Sequence, residues 1–359
     1  MKNKLFHINY NSPICLTGYG IVSLNILREL YKIDNNIISY FPMGQPNLQN
    51  EYDHKIVSEM FNNRYLFDIH APFIKIWHQF DLGSRIGRGK YFAFPFFELD
   101  TFDKSECIHM SVPDVLFVSS KWAQDIVKSN NIKTESYVVP LGVDRDIFDH
   151  NIKSTRVDNK YIFLNIGKWE VRKGHDILLE LFNKAFPNET DVELCILASE
   201  TTNSYSNPEE LIRWKSIYNS PRVKLLHGVE THREVAQLIA NSDCGIYPSR
   251  AEGWNLELLE TMSMNKPVIA TNYSSHTEFC NQDNCFLVDI DKVEPAHDGK
   301  VFNGQGNWAK IGEQQKEQII SHMRYAYNNR LSQNPQGLET AKKYSWNKTA
   351  NIIMERISQ

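Results

Sequence analysis

A succession of short apolar runs, set apart by stretches of helical periodicity, limits what this sequence can fold into. In the first half the runs cover residues 5–9, 73–77, 91–94, 115–119 and 136–139; in the second, 162–166, 193–197, 223–226, 245–247 and 268–270. Between them, segments such as Ile21–Tyr31 and Lys121–Ser129 repeat their apolar residues at three- and four-residue intervals. Strands that alternate with helices build parallel sheets through right-handed crossovers. Two such blocks meet near Asp144–Lys160. The pattern therefore predicts an α/β chain of two Rossmann-like parallel-sheet domains, residues 1–150 and 151–343, facing a central cleft at the strands' carboxyl ends. The last helix, about 344–359, is able to pack back on the first domain. The polar stretch Ile290–Gly306 reads as an irregular loop.

Composition removes several function classes. A length of 359 residues suits two domains, each able to bury a core of its own. With 39 basic against 43 acidic residues the net charge is −4, which argues against a nucleic-acid binder. Six cysteines form no CxxC pair and no metal-ligand spacing, so they read as reduced, small core residues, Cys280 and Cys285 included. The opening stretch Met1–Tyr10 lacks the apolar core of a secretory leader, and no apolar run reaches about 18 residues. A cytoplasmic location is expected, and the sequons at Asn188, Asn272 and Asn347 then carry no weight.

The richest stretch is Pro248-Ser-Arg-Ala-Glu-Gly-Trp-Asn-Leu-Glu-Leu-Leu-Glu260. An apolar run, Cys244–Tyr247, leads into it and a helical pattern, Leu256–Met264, leads out. Gly253 lets bare backbone approach a ligand. A helix starting near Asn255 turns its unpaired N–H groups and positive dipole end toward that loop, which suits a phosphate. Were all the intervening residues helical, Glu252 and Glu260 would stand about 12 Å apart. Carboxylates so placed cannot share a proton or a metal ion. They can hold hydroxyls at the two ends of an elongated ligand with a charged middle, the layout of a nucleotide-sugar.

At these residues the chain resembles the donor-binding half of retaining GT-B glycosyltransferases of the family-4 type, glycosyl transferases group 1. Their signature, Glu-Gly-Phe-Gly-Leu-Pro-x-Leu-Glu, stands here as Glu252-Gly-Trp-Asn-Leu-Glu-Leu-Leu-Glu260, with Trp254, Asn255 and Glu257 as departures. Asn accepts unusual backbone angles and caps helices, whereas Glu257 adds negative charge beside the expected diphosphate. A second fragment, Tyr161-Ile-Phe-Leu-Asn-Ile-Gly-Lys-Trp-Glu-Val-Arg-Lys-Gly174, is similar to the family's Gly-Arg and Lys-Gly segment. Lys168 takes the place of the arginine, and Lys173 the second cation. Val138–Asp144, Lys266–Thr271 and Tyr344–Lys348 match further family segments in order.

The resemblance implies a GT-B fold and transfer of a hexosyl group from a nucleotide-diphosphate sugar, such as a UDP- or GDP-sugar, to an acceptor hydroxyl. Retention of configuration and independence of metal ions and other cofactors come with it. Lys168, Lys173 and the backbone N–H groups of Gly253, Trp254, Asn255 and Leu256 would hold the diphosphate. Glu252 would bind sugar hydroxyls and Glu260 the ribose, and the base would lie along His227–Val229. Acceptors of the family class are glycans, lipid-linked sugars or small molecules. A sugar-nucleotide epimerase of the same fold, and an inactive sugar-nucleotide-binding subunit, are the alternatives.

The first half is less specific. Gly18-Tyr19-Gly20 sits at a strand-to-helix turn and serves a close ligand approach or a plain tight turn equally well. His78 follows a strand's carboxyl end, where open α/β sheets carry functional groups; a satisfied surface histidine is an equal reading. Glu98, within Phe94-Pro-Phe-Phe-Glu-Leu-Asp100, is the polar candidate nearest the place where some family members carry a histidine facing the transferred sugar. His78 and Glu98 complete the catalytic candidates with Glu252 and Lys173. The basic run Arg85-Ile-Gly-Arg-Gly-Lys90 reads as a solvated loop, with weak contact to a membrane surface left open.

Overall fold

The computed structural model describes residues 5–198 and 208–359. Residues 1–4, the start of the stretch read for a leader, lie outside the description. The chain divides into two units, Met1–Gly142 with Tyr344–Gln359, and Val143–Lys343, so the boundary falls at Gly142 rather than at residue 150. Among the described residues no helix is long and apolar enough to cross a membrane.

In the first unit the chain runs β1 (Phe6–Ser12), α1 (Gly18–Tyr31), β2 (Asn36–Pro42), α2 (Glu51–Asn62), β3 (Phe73–Lys75), β4 (Tyr91–Ala93), α3 (Lys104–Met110), β5 (Val115–Val118), α4 (Lys121–Ser129) and β6 (Glu135–Val138). The strands form one parallel sheet in the order β2-β1-β3-β4-β5-β6. Phe73, Tyr91, Leu116 and Val118 bury one face of it against Met110, Ala123 and Val127 of the helices. Each such apolar side chain contributes about 1.5–3 kcal/mol. The helix Trp346–Ile357 belongs to this unit, and Thr349 Oγ1 donates to Pro140 O at 2.7 Å. Glycine is required at 142, where a Cβ would strike the backbone of Ser345 and Trp346.

The second unit continues with β7 (Tyr161–Gly167), α5 (His175–Ala185), β8 (Val192–Ala198), α6 (Pro208–Ile217), β9 (Val223–Leu226), α7 (His232–Ala240), β10 (Cys244–Tyr247), α8 (Leu256–Ser263), β11 (Val268–Asn272), β12 (Phe286–Asp289), β13 (Val293–His297), β14 (Asn303–Ala309), α9 (Glu313–Asn328) and α10 (Pro335–Lys343). Its parallel sheet has the order β12-β11-β10-β7-β8-β9. Phe163, Leu194, Ile246 and Ile269 of the central strands pack with Leu178, Leu181 and Phe182 of α5 and Ile319 and Met323 of α9. From β7 the chain moves outward through β8 to β9; from β10 it moves the opposite way through β11 to β12. The loops leaving β7 and β10 therefore diverge from adjacent strand ends, the place where open α/β sheets leave a crevice.

One expectation fails. Residues 293–309 are not an irregular loop but the antiparallel hairpin β13–β14, with a register shift between Pro295 and His297. The polar sequence hid it because most of its side chains face solvent, while Ala296, Trp308 and Ala309 alone supply the buried anchor.

Candidate functional site

The β7 loop and the β10 loop are knotted together by charge. Lys173 Nζ lies 2.9 Å from Glu252 Oε1, and Arg172 Nη1 donates to Glu252 Oε2 at 2.9 Å. Ser249 Oγ donates to Glu252 Oε1 at 2.8 Å, and a second Arg172 bond reaches Ala251 O at 2.8 Å. Glu252 is 4% exposed. Burial alone would push its carboxyl up, but Lys173 and Arg172 outweigh it and hold the group well below the usual carboxylate range. Lys173 is likewise kept protonated: burial opposes the charge, and Glu252 with Glu257 more than compensates. Glu257, the departure from the family pattern, stands 3.8 Å from Lys173. It thus faces a cation already in place.

Glycines set this geometry at two points. A Cβ at Gly167 would press on Cδ and Cε of Lys173, at 3.2 and 3.3 Å, so the bare strand end carries the lysine stem. Gly174 has φ +82°, and a Cβ there would meet Pro248 O at 2.5 Å. That approach is what lets the start of α5 abut the β10 loop.

Beyond Glu252, Asn255 starts α8 in the left-handed region, with φ 82°. Its Oδ1 accepts from Leu258 N at 3.1 Å, and its Nδ2 contacts His276 Nε2 at 2.9 Å. His276 Nδ1 lies 2.9 Å from Thr271 O, which can only accept. The proton must then sit on Nδ1, and Nε2 accepts from the Asn255 amide. Burial lowers the His276 pKa and keeps this neutral tautomer. Ser274, also left-handed with φ 53°, accepts the Glu252 backbone N–H on Oγ at 2.8 Å. Left-handed backbone in non-glycine residues costs on the order of 1–3 kcal/mol and gathers where function holds it. Here two such residues flank one glutamate.

Outer contacts brace the loops. Arg250 grips Asp176 with two bonds of 2.8 Å and donates to Val171 O. The guanidinium also lies 5.7 Å from the Trp308 ring centroid, and Ala309 N donates to Arg250 O at 2.9 Å, so the hairpin holds the β10 loop from behind. On the other side His175 Nδ1 accepts from Glu170 N, and its Nε2 meets Asn165 Oδ1 at 2.9 Å. Asn165 in turn donates to Ile246 O at 2.6 Å, joining β7 to β10. Burial lowers the His175 pKa to about 4, so it stays neutral and structural.

The remaining candidates of this unit also lie at the sheet's carboxyl edge. Lys168 follows β7 directly, is half-buried, and makes no ion pair or hydrogen bond among the described residues. Val229 follows β9 in the loop containing Gly228, whose φ is +69°. Gly253 and Leu256 are buried with the loop. Trp254 is turned inward, its ring 5.0 Å from Phe279, so its backbone rather than its indole face remains for a ligand. Glu260 sits in α8, buried, where burial first and then Glu257 and Asp144 raise its pKa well above the carboxylate range. Burial thus favours the protonated form of this carboxyl. Because the helix begins only at Leu256, the fully helical spacing between Glu252 and Glu260 does not apply.

In the first unit the strand order likewise reverses between β1 and β3, and the remaining candidates meet at those strand ends. Tyr19 in the first turn of α1 lies 4.4 Å from the His78 ring and 5.6 Å from Trp77; its hydroxyl donates to Phe96 O at 2.8 Å. Phe80 stacks on His78 at 4.9 Å and 10°. Glu98 is half-buried and raises the Tyr19 pKa, after burial itself. Gly18 has open space around it, but Gly20 does not: a Cβ there would strike the Cys15 backbone. Gly20 is therefore needed for packing α1 against the β1 loop.

Arg172, Ser249, Ser274 and His276 were not singled out as site residues by sequence. Arg172 carried a signal, since it precedes Lys173 in the same loop; Ser274 and His276 reach the site only through the fold.

Residues 160–297 match the family described as Glycosyl transferases group 1. The second unit carries a glycosyl transferases group 1 domain. The knot at Lys173 and Glu252 and the start of α8 all fall inside that domain. A related protein is the MMP alpha-(1->4)-mannosyltransferase of Mycolicibacterium hassiacum, 31% identical over 173 residues, which are 48% of this chain and 40% of that protein. An uncharacterized glycosyltransferase of Methanocaldococcus jannaschii is 25% identical over 274 residues, 75% of this chain and 66% of its own length. The chain thus spans less than two thirds of these relatives. Among solved structures, sucrose-phosphate synthase from Thermosynechococcus elongatus superimposes with a TM-score of 0.69 at 12% identity, covering 99% of this chain and 98% of its own. Anabaena HepE in complex with UDP-glucose gives 0.69 at 15% identity, covering 98% and 99%. The group 1 domain and its companion unit have the GT-B fold.

Proposed function

We propose that the chain is a glycosyltransferase that moves a hexosyl group from a nucleotide-diphosphate sugar to an acceptor hydroxyl, with retention and without a metal ion. The observation that carries the reading is the Lys173–Glu252 knot at the strand-order reversal of a group 1 domain, beside the N-terminus of α8. The donor diphosphate lies against the backbone N–H groups of 253–256 and the ammonium of Lys168. Preorganised positive groups of this kind stabilise the charge that grows on a leaving diphosphate as the glycosidic bond breaks. Lys173 shares its charge between Glu252 and Glu257 until the donor arrives, then turns part of it toward the phosphate. Glu252 keeps Lys173 and Arg172 in place and offers its carboxylate edge to the sugar hydroxyls. Glu260, a buried acid, meets the ribose hydroxyls. The departing phosphate oxygen accepts the acceptor's proton, so no separate base is needed. In the first unit the Tyr19, His78 and Glu98 cluster receives the acceptor.

The relatives support the class: one is named a mannosyltransferase, and a fold neighbour was solved with UDP-glucose. The test begins with a thermal-shift screen against UDP, GDP and ADP. The nucleotide that binds is then supplied as its sugar conjugates, with and without an acceptor, and the anomeric configuration of the product is read by NMR. Consumption of donor only when an acceptor is present, with retention, is the expected result. Equal consumption without acceptor identifies an epimerase or hydrolase, and inverted product removes the retaining mechanism. Glu260→Ala is expected to weaken nucleotide binding by about 1.5–3 kcal/mol.

A further inference from the structure

The surface of the first unit holds a patch that the donor site does not use. Tyr65 and Leu66, just after α2, are 87% and 58% exposed, and Phe61, Phe67 and Ile69 are exposed beside them in sequence. A soluble surface scatters large apolar side chains singly; a contiguous group marks a contact. The fold ties this segment to the basic run. Arg88 N donates to Ile69 O at 2.6 Å, a Cβ at Gly87 would meet Ile69 O at 2.9 Å, and Gly89 abuts the backbone of His70 and Ala71. Arg85, Arg88 and Lys90 are exposed on that run, and Arg64 lies over the Phe61 ring at 3.3 Å. None of these four cations pairs with a carboxylate among the described residues. In a chain of net charge −4, unpaired cations gathered around exposed aromatic and aliphatic residues need a partner that supplies anions and an apolar phase together.

We propose that this patch docks the first unit on an anionic lipid bilayer, Tyr65 and Leu66 entering the headgroup–acyl boundary and Arg64, Arg85, Arg88 and Lys90 meeting lipid phosphates. Charge complementarity favours a bilayer. So does the form of the patch: its most exposed side chains project from a turn following a helix, which suits insertion into a deformable phase. Each basic residue near an anionic surface strengthens binding about fivefold, and insertion of apolar side chains adds to it.

The test is co-sedimentation of the full chain with phosphatidylcholine vesicles, with and without phosphatidylglycerol. The wild-type chain is expected to sediment with the acidic vesicles and not the neutral ones, and to be released by salt. Arg88→Gln with Lys90→Gln should weaken binding roughly 25-fold. Tyr65→Ser with Leu66→Ser, at exposed sites that leave the core intact, should weaken it at least tenfold, and both variants should keep the wild-type melting temperature. Three results overturn the proposal: no binding to acidic vesicles; equal binding to neutral ones; or binding that ignores Tyr65→Ser/Leu66→Ser, which would be adhesion by charge alone. Self-association without lipid that Tyr65→Ser/Leu66→Ser abolishes, together with no vesicle binding, would assign the patch to a protein contact instead.

Discussion

Lys173 and Glu252 stand 2.9 Å apart with both side chains buried, and they come from the ends of two strands that lead the chain in opposite directions across the sheet. Neither charge has water to fall back on. Breaking a buried pair by removing one partner costs about 3–5 kcal/mol, because the other charge is left without compensation. Glu252→Gln leaves Lys173 with Glu257 at 3.8 Å and Arg172 with Glu170 at 2.6 Å, so it is expected to fall at the low end of that range. Lys173→Met should cost less, since Arg172 and Ser249 still hold the carboxylate. Urea unfolding of both single variants and the double variant should give a coupling energy of at least about 1 kcal/mol. Additive losses would show that the two residues act independently.

The same pair sets an acid limit. Because the Glu252 carboxyl is held below its ordinary range in the fold, the stability it contributes is present above about pH 4.3, the unfolded carboxyl value, and is lost as pH falls further. Glu260 has the opposite sign. Its pKa is raised in the fold, so its cost is absent in acid and grows as pH climbs above that value. Glu260→Gln is expected to raise the melting temperature by a few degrees at pH 8 and to leave it unchanged at pH 4. A gain that is the same at both pH values would show that the fold does not raise the Glu260 pKa.

Asn255 offers a way to separate backbone strain from capping. Asn255→Gly keeps the positive φ at no steric cost but gives up the cap and the bond to buried His276 Nε2, so it should lose about 1–2 kcal/mol. Asn255→Ala gives up the same cap and His276 bond and adds the left-handed backbone, a further loss of about 1–2 kcal/mol. If alanine and glycine melt alike, the backbone at 255 is not left-handed in solution.

Lys168 is the half-buried cation with no carboxylate partner among the described residues of the loop. Lys168→Met is expected to leave stability within about 0.5 kcal/mol. It should weaken nucleoside diphosphate binding about tenfold or more by titration calorimetry at low salt. Addition of EDTA should leave turnover unchanged; loss restored by magnesium or manganese would show that a metal ion, not lysine, neutralises the diphosphate.

Sequence periodicity was enough for the two parallel sheets, because buried strands of Val, Ile, Leu and Phe announce themselves locally. The Lys173, Glu252 and Asn255 loops were marked instead by glycine, charge and helix start lying within a few residues of each other and by the family resemblance those residues carry, and the structure brings Lys173 and Glu252 into contact. Periodicity failed at residues 293–309, where a polar hairpin is fixed by Trp308 against Arg250, two residues far apart in the chain. It also missed Ser274 and His276, whose importance depends on where β11 delivers them. Trp254 is a subtler case: the motif marked its position, yet the ring itself is turned into the core against Phe279.

The bracing of the β10 loop by Arg250, Asp176 and the hairpin has a thermodynamic consequence. Freezing a loop costs conformational freedom, and here that loss is incurred when the chain folds rather than when a ligand arrives. For a donor bound as proposed, the freedom given up on entering would then be mainly the ligand's own, and a more rigid donor would bind with less entropic loss.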